Sequence, residues 1–416
     1  MYLNKKFYLY IIFSLTIFLG FVLNENSSGG AKFDNEYLFP FIENFKGNIS
    51  NALDLFAKDT GTLIHSPVFY FLIGKILSLL DNLYLINIGY ILISCSLPYF
   101  FYLILIEKFD KNFDYLFYFS LLIFISPYFR SSAIWLLGDN LSLIFFSLSI
   151  YFINKRKKVE KNFYNFLLCL VFLCLCCYIR YYYAVFSIYY FFIFYKNVDI
   201  KKFCFLILIA LILSFPAFTY LLHMFNNYDF LSKLTKYGNL NLYSNSLLIF
   251  SIILFYLFPF LILYRDQLKS YIKKNLKFIV FAFLFFFFIF LFDYYLNNKI
   301  IYFSELGGGI FLKLATFLSI NTSLCISLIS FVSLVSLDFF FKGNRLENYL
   351  LLIILILSFP VLTIYQKYFD PFFLLFFFGL IKSNQINEFF VNSIQDLKVI
   401  YIYFLSFYFF SLIYYL

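Results

Sequence analysis

Charge is what this chain has least of. Only 13% of its 416 residues are Asp, Glu, Lys or Arg, whereas 63% are hydrophobic. Average soluble domains carry roughly a quarter charged residues, and a soluble chain this apolar lacks the polar groups to cover its own surface. No polar stretch is long enough to fold alone, which excludes a separate soluble domain. The seven cysteines lack the paired spacings in polar surroundings that zinc takes and form no disulfide framework. Cys169, Cys174, Cys176 and Cys177 share one apolar run, where they read as small buried side chains. The N-terminus has a basic start and an apolar core, but no small-x-small cleavage site closes it, so it reads as a retained first helix. No internal repeat is evident.

What the chain does have is long Phe/Leu/Ile/Tyr runs from end to end, such as 278–292. A bilayer span needs about 20 mostly apolar residues. Polar punctuation predicts an all-α, polytopic transmembrane protein with about 13 spans, near 7–23, 84–106, 115–129, 139–153, 163–179, 182–195, 203–222, 244–264, 278–296, 310–340, 349–365, 371–382 and 398–416. The whole chain, 1–416, reads as one transmembrane domain. The net charge of +10 sits in short loops, including Lys108, Lys111, the run 155–158, Lys273, Lys274 and Lys382. This is a topology signal rather than a nucleic-acid surface. It places those loops inside and leaves residues 24–83 as a long first outer loop. Within it, 67–81 reads as an interfacial or re-entrant helix, because counting it as a span would move the basic loops outside. Lys75 would then snorkel to the headgroups.

Ionisable groups beside apolar runs are costly and usually functional. In this topology they gather on the outer side: Asp34, Glu36 and His65 in the first loop, Arg130 and Asp139 around SSAIWLLGDN, Arg180 in CYIRYYY, Glu305 before three glycines, and Lys367 with Asp370 in YQKYFDP. Each has a plainer alternative. His65 can simply begin a helix at Ser66-Pro67, Asp139 can cap one, Arg130 can anchor at the interface, and Glu305 can belong to a flexible turn. His223 and Asp293 also stand on this side, His223 as ordinary loop polarity. Transfer of a sugar from a lipid phosphate to a hydroxyl would use this set economically. A carboxylate, Asp34 or Glu36, takes the acceptor proton. Arg180, Lys367 and Arg130 hold the departing phosphate. A glycoside hydrolase would need a second, protonated carboxyl.

The segment FDNEYLFPFIENFKGNISNALDLFAKDTGTLIHSPVFYFLIGKI, with its acidic motif soon after the first span and its Pro-containing start to the next helix, resembles the first loop of the GT-C superfamily of membrane glycosyltransferases. The nearest likeness is to the dolichyl-phosphate-glucose glucosyltransferases. The resemblance implies a polyprenyl-phosphate sugar donor, a glycan or lipid-linked acceptor, and a multi-pass position in a bacterial cytoplasmic or endoplasmic-reticulum membrane with the site on the non-cytoplasmic side. It aligns Asp34 with the catalytic acidic position, with Glu36 second. IRYYY is similar to that family's Arg-Gln-Thr stretch in Arg180 alone, since Tyr181 and Tyr182 replace the other two. The remaining candidates, His65, Arg130, Asp139, Glu305 and Lys367, are substrate-binding in this reading. No cofactor is required, although a carboxylate pair could hold a divalent cation. Competing readings are a transporter or flippase of a lipid-linked glycan, a surface-polysaccharide polymerase or ligase, and a non-catalytic scaffold. Midplane charges and inverted repeats would mark the transporter. A later, Arg-bearing outer loop would mark the polymerase.

Overall fold

The computed structural model describes residues 2–59, 65–109, 113–155, 163–228, 242–295, 303, 307–361, 363–390 and 394–415. Glu305, residues 60–64 and most of the basic run at 155–158 lie outside them. Every described element is helical. The chain forms two compact units, one of residues 1–234 with 404–416 and one of residues 235–403.

The first unit contains α1 (Tyr2–Val22), α2 (Ala31–Asn44), α3 (Ile49–Lys58), α4 (Pro67–Leu80), α5 (Leu83–Ser94), α6 (Leu97–Lys108), α7 (Phe113–Ser120), α8 (Pro127–Ile134), α9 (Asp139–Lys155), α10 (Phe163–Ile179), α11 (Ser187–Asn197) and α12 (Ile200–Asn227). The second contains α13 (Leu242–Leu263), α14 (Arg265–Lys274), α15 (Leu276–Tyr295), α16 (Gly309–Phe317), α17 (Thr322–Phe341), α18 (Arg345–Leu357), α19 (Phe372–Gly379) and α20 (Asn384–Phe389). A last helix, α21 (Ile394–Tyr415), begins in the second unit and ends in the first.

Seven described helices are long and apolar enough to cross a membrane: Lys5–Val22, Leu83–Lys108, Ile200–Asn226, Leu242–Leu263, Leu276–Tyr295, Thr322–Phe341 and Asp396–Tyr415. The set is compatible with a multi-pass membrane protein. Asp114–Ile125 and Pro127–Ile134 add an eighth if their 62° bend is counted within one span. The bend has a local cause. Pro127 cannot donate to the preceding turn, and Ser126 caps the new helix by accepting from Phe129 N at 3.0 Å. The other apolar runs expected as spans form shorter helices: 17 residues in α9, 17 in α10, 11 in α11, 13 in α18 and 8 in α19. Each falls short of the about 20 residues that a perpendicular crossing requires.

Packing in the first unit centres on the α9–α10 pair and on α6 against α9. Ser147 and Ser149 of α9 return their hydroxyls to Leu143 O and Phe146 O at 2.7 Å. Small, self-satisfied side chains of this kind let helices approach closely where no water can help. The segment after α1 folds as α2, α3 and α4 around Leu38, Ile42, Phe45, Phe56 and Phe69. Gly74 makes the α2–α4 contact possible, because a Cβ there would stand 2.5 Å from Ile42 O and 2.7 Å from Phe45 Cβ. In the second unit α13 is the central helix, and Ser330 of α17 donates to Leu247 O at 2.8 Å.

Candidate functional site

Arg180 follows the last turn of α10 in extended conformation and starts a 3-10 helix over Tyr181–Phe186. Only 9% of its surface is exposed. One end of its guanidinium donates to Asp139 Oδ2 at 2.6 Å, and the other reaches His65 Nδ1 at 2.6 Å. A guanidinium only donates, so Nδ1 acts here as acceptor and the imidazole proton belongs on Nε2. Tyr70 Oη lies 3.3 Å from the same Nδ1. Asp34, Asp139 and Arg180 all act electrostatically on the Tyr70 hydroxyl. Three of the residues singled out by sequence, His65, Asp139 and Arg180, are therefore joined in one hydrogen-bonded chain that reaches Tyr70, and a fourth, Asp34, acts on the same hydroxyl through its charge.

Local structure explains the convergence. Ser66 caps α4 by accepting from Val68 N, Pro67 occupies the first helical turn, and the Ser66 hydroxyl donates to Tyr178 O. This ties the start of α4 to the end of α10. Asp139 is the first residue of α9. Gly138 before it has no side chain to press on Phe69 and Ile179, which would lie 3.1 and 3.0 Å from a Cβ. Asp34 occupies the first turn of α2, where the positive helix terminus favours a carboxylate. Its neighbour Asn35 fixes the helix by donating to Trp135 O at 2.8 Å. Glu36 faces away from this group. It is exposed and stands 4.0 Å from Lys32, because two residues along a helix turn a side chain by about 200°.

Arg130 is engaged elsewhere. Its Nε and one terminal nitrogen grip the Glu25 carboxylate at 2.8 and 2.6 Å, and Thr16 accepts two further bonds at 2.8 and 2.9 Å. Tyr408 covers the guanidinium, 5.0 Å away. Lys367 belongs to the second unit. It lies half-buried in a 3-10 turn with Nζ 5.2 Å from the Tyr365 ring. The glycine run that follows Glu305 docks on this same segment: Gly308 N donates to Ile364 O at 2.7 Å, and Ile310 N donates to Gln366 Oε1 at 3.0 Å. Gly307, Gly308 and Gly309 all have positive φ, which glycine adopts without strain.

Sequence reasoning missed three partners. Tyr70 was one of 39 tyrosines, and Glu25 was hidden in a polar stretch after α1. Asp54 meets His223 Nε2 at 3.1 Å and Tyr228 Oη at 2.9 Å, so His223 is more than loop polarity. The Tyr228 hydrogen bond, followed by that of His223, holds the Asp54 carboxyl below its ordinary value. Asp54, spaced i, i+4 from Lys58 in an amphipathic α3, offered the only sequence hint. Among the described residues, no group of three or more His, Cys, Asp or Glu is placed to hold a metal ion. The chain matches no protein-family model, no curated protein and no solved structure.

Proposed function

We propose that this chain is an inverting membrane glycosyltransferase of the GT-C type, moving a sugar from a polyprenyl-phosphate donor to a glycan, lipid or protein acceptor at the non-cytoplasmic face. The observation that carries the reading is the Asp139–Arg180–His65 chain that ends at Tyr70, a hydroxyl on which the Asp34 charge also acts. In this reading Asp34 is the base that takes the acceptor proton. Arg180 supplies the cation for the departing phosphate. Asp139 and His65 hold two of its nitrogens, and its buried Nε has no hydrogen-bond partner among the described residues. That nitrogen is an unspent donor.

The test is sugar transfer by the purified chain, using a polyprenyl-phosphate sugar and a mixture of glycan and lipid acceptors. Asp34→Asn should lower turnover by about 100-fold or more with folding retained, while Glu36→Gln should leave it within about twofold. Full activity in Asp34→Asn removes Asp34 as base. An inactive wild type that instead moves lipid-linked glycan across vesicles overturns the glycosyltransferase reading.

A further inference from the structure

The second unit presents a cationic helix that the proposed reaction does not use. Helix α14 lies between two helices of spanning length, α13 and α15. It is therefore placed where the chain turns at a membrane surface. Arg265, Lys269 and Lys273 recur every fourth residue, which puts them on one stripe. Lys274 and Lys277 extend the charge, and all five are exposed. Among the described residues the only acid paired with any of them is Asp266, 3.6 Å from Lys269. Ile272 and Leu276, 37% and 59% exposed, border the stripe with apolar surface.

The opposite side of α14 is fixed. Tyr271 is buried, stacks edge-on against Phe339 and donates to Asp338. Asp338, with 3% of its side chain exposed, also accepts from Arg345 at 2.8 Å and Tyr349 at 2.7 Å. A buried carboxylate with three donors is a rigid anchor. It holds α14 with its cations outward, at a depth set by the ends of α13 and α15.

We propose that this stripe binds the anionic headgroups of the adjoining leaflet. A basic helix flanked by apolar side chains lies in the interface, its cations among headgroups and its apolar residues at the acyl boundary. At about 1.5 Å per residue, ten residues span roughly 15 Å, wide enough for two lipids. The proposal is independent of the glycosyltransferase reading.

The full chain, stripped of lipid in detergent, is offered equal amounts of phosphatidylglycerol and phosphatidylcholine, and bound lipid is counted by native mass spectrometry. Wild type should prefer phosphatidylglycerol by about fivefold or more. Replacing Arg265, Lys269, Lys273, Lys274 and Lys277 with Gln should bring the preference below about twofold. Lys201→Gln/Lys202→Gln, neutralising exposed lysines at the start of α12, should leave it unchanged. A photoactivatable phosphatidylglycerol headgroup on wild type should label residues 265–277, a result that needs no folded variant. An absent preference, an equal loss in the α12 variant, or labelling confined to other segments overturns the proposal.

Discussion

Replacing Glu25 with Gln should separate a folding clamp from a substrate clamp at Arg130. The side chains are 5% and 7% exposed, so neither charge has water to fall back on. Glu25 accepts from two guanidinium nitrogens and from Ser27 Oγ at 2.8 Å. Glutamine keeps the volume and one oxygen but turns an amide NH2 toward a cation that can only donate. Losing one of the two charge-assisted bonds costs about 1.5–3 kcal/mol, and the guanidinium is left without its counter-charge. Breaking a buried ion pair by removing one partner costs about 3–5 kcal/mol in all. Removing both charges together, as Glu25→Leu/Arg130→Met, should recover most of that loss, since no uncompensated ion is left behind.

The assay has a built-in reporter. Trp135 is the only tryptophan in the chain, and its indole donates to Glu25 O at 2.8 Å. Unfolding followed by tryptophan emission in detergent should show Glu25→Gln melting about 6–20 °C lower, from about 2–4 °C per kcal/mol for a unit of this size. The double variant should lie within a few degrees of wild type. A single variant that melts with wild type, or a double variant as weak as the single, would refute the argument. Either result would return Arg130 to the list of groups available to a ligand.

The remaining expectations concern the elements that carry the site. Gly74→Ala should destabilise by about 1–3 kcal/mol, because the new methyl meets backbone Ile42 O at 2.5 Å and must push α4 from α2; the same unfolding assay checks it. Asp139→Asn should leave the buried Arg180 without its counter-charge, cutting transfer activity by about tenfold or more while Asp139→Glu restores part of it. The Asp54 contact should weaken only in acid. Its carboxyl is held below the ordinary 3.8, so the stabilisation is fully present above 3.8 and is lost as pH falls through the depressed folded value. Hydrogen exchange in α3 should rise across that interval in wild type and stay nearly flat in Asp54→Asn.

Long runs made α1, α12, α13, α15 and α21 legible, since spanning length and apolar composition are local properties. The shorter helices were legible as helices but not in their role. A 17-residue α10 and a run twice its length look alike until the break at Arg180 is seen. Arg180, Asp139 and His65 stood out because an ionisable group in apolar surroundings needs a reason. Their contacts across 41 and 115 residues could not be read from spacing. Arg130 stood out by the same logic, but its reason was Glu25, 105 residues away. Charge in an apolar setting therefore identifies residues that need partners and leaves open whether the partner is protein or ligand.

The geometry of helix ends narrows that choice for the proposed site. Asp139 begins α9 and Arg180 follows α10, so their 2.6 Å contact requires the start of one helix beside the end of the other. Ser66 bonding to Tyr178 O brings the start of α4 to the same place, and Asp34 adds the start of α2. The starts of α9 and α4 thus meet beside Arg180, and Asp34 in the first turn of α2 acts on the same Tyr70 hydroxyl, with partial positive charge at each helix start. Helix starts of this kind lower the cost of admitting a further anion beside Arg180 even though Asp139 already balances it. Under the glycosyltransferase reading proposed above, that further anion is the departing phosphate, and the helix starts would serve it as well as the buried salt bridge.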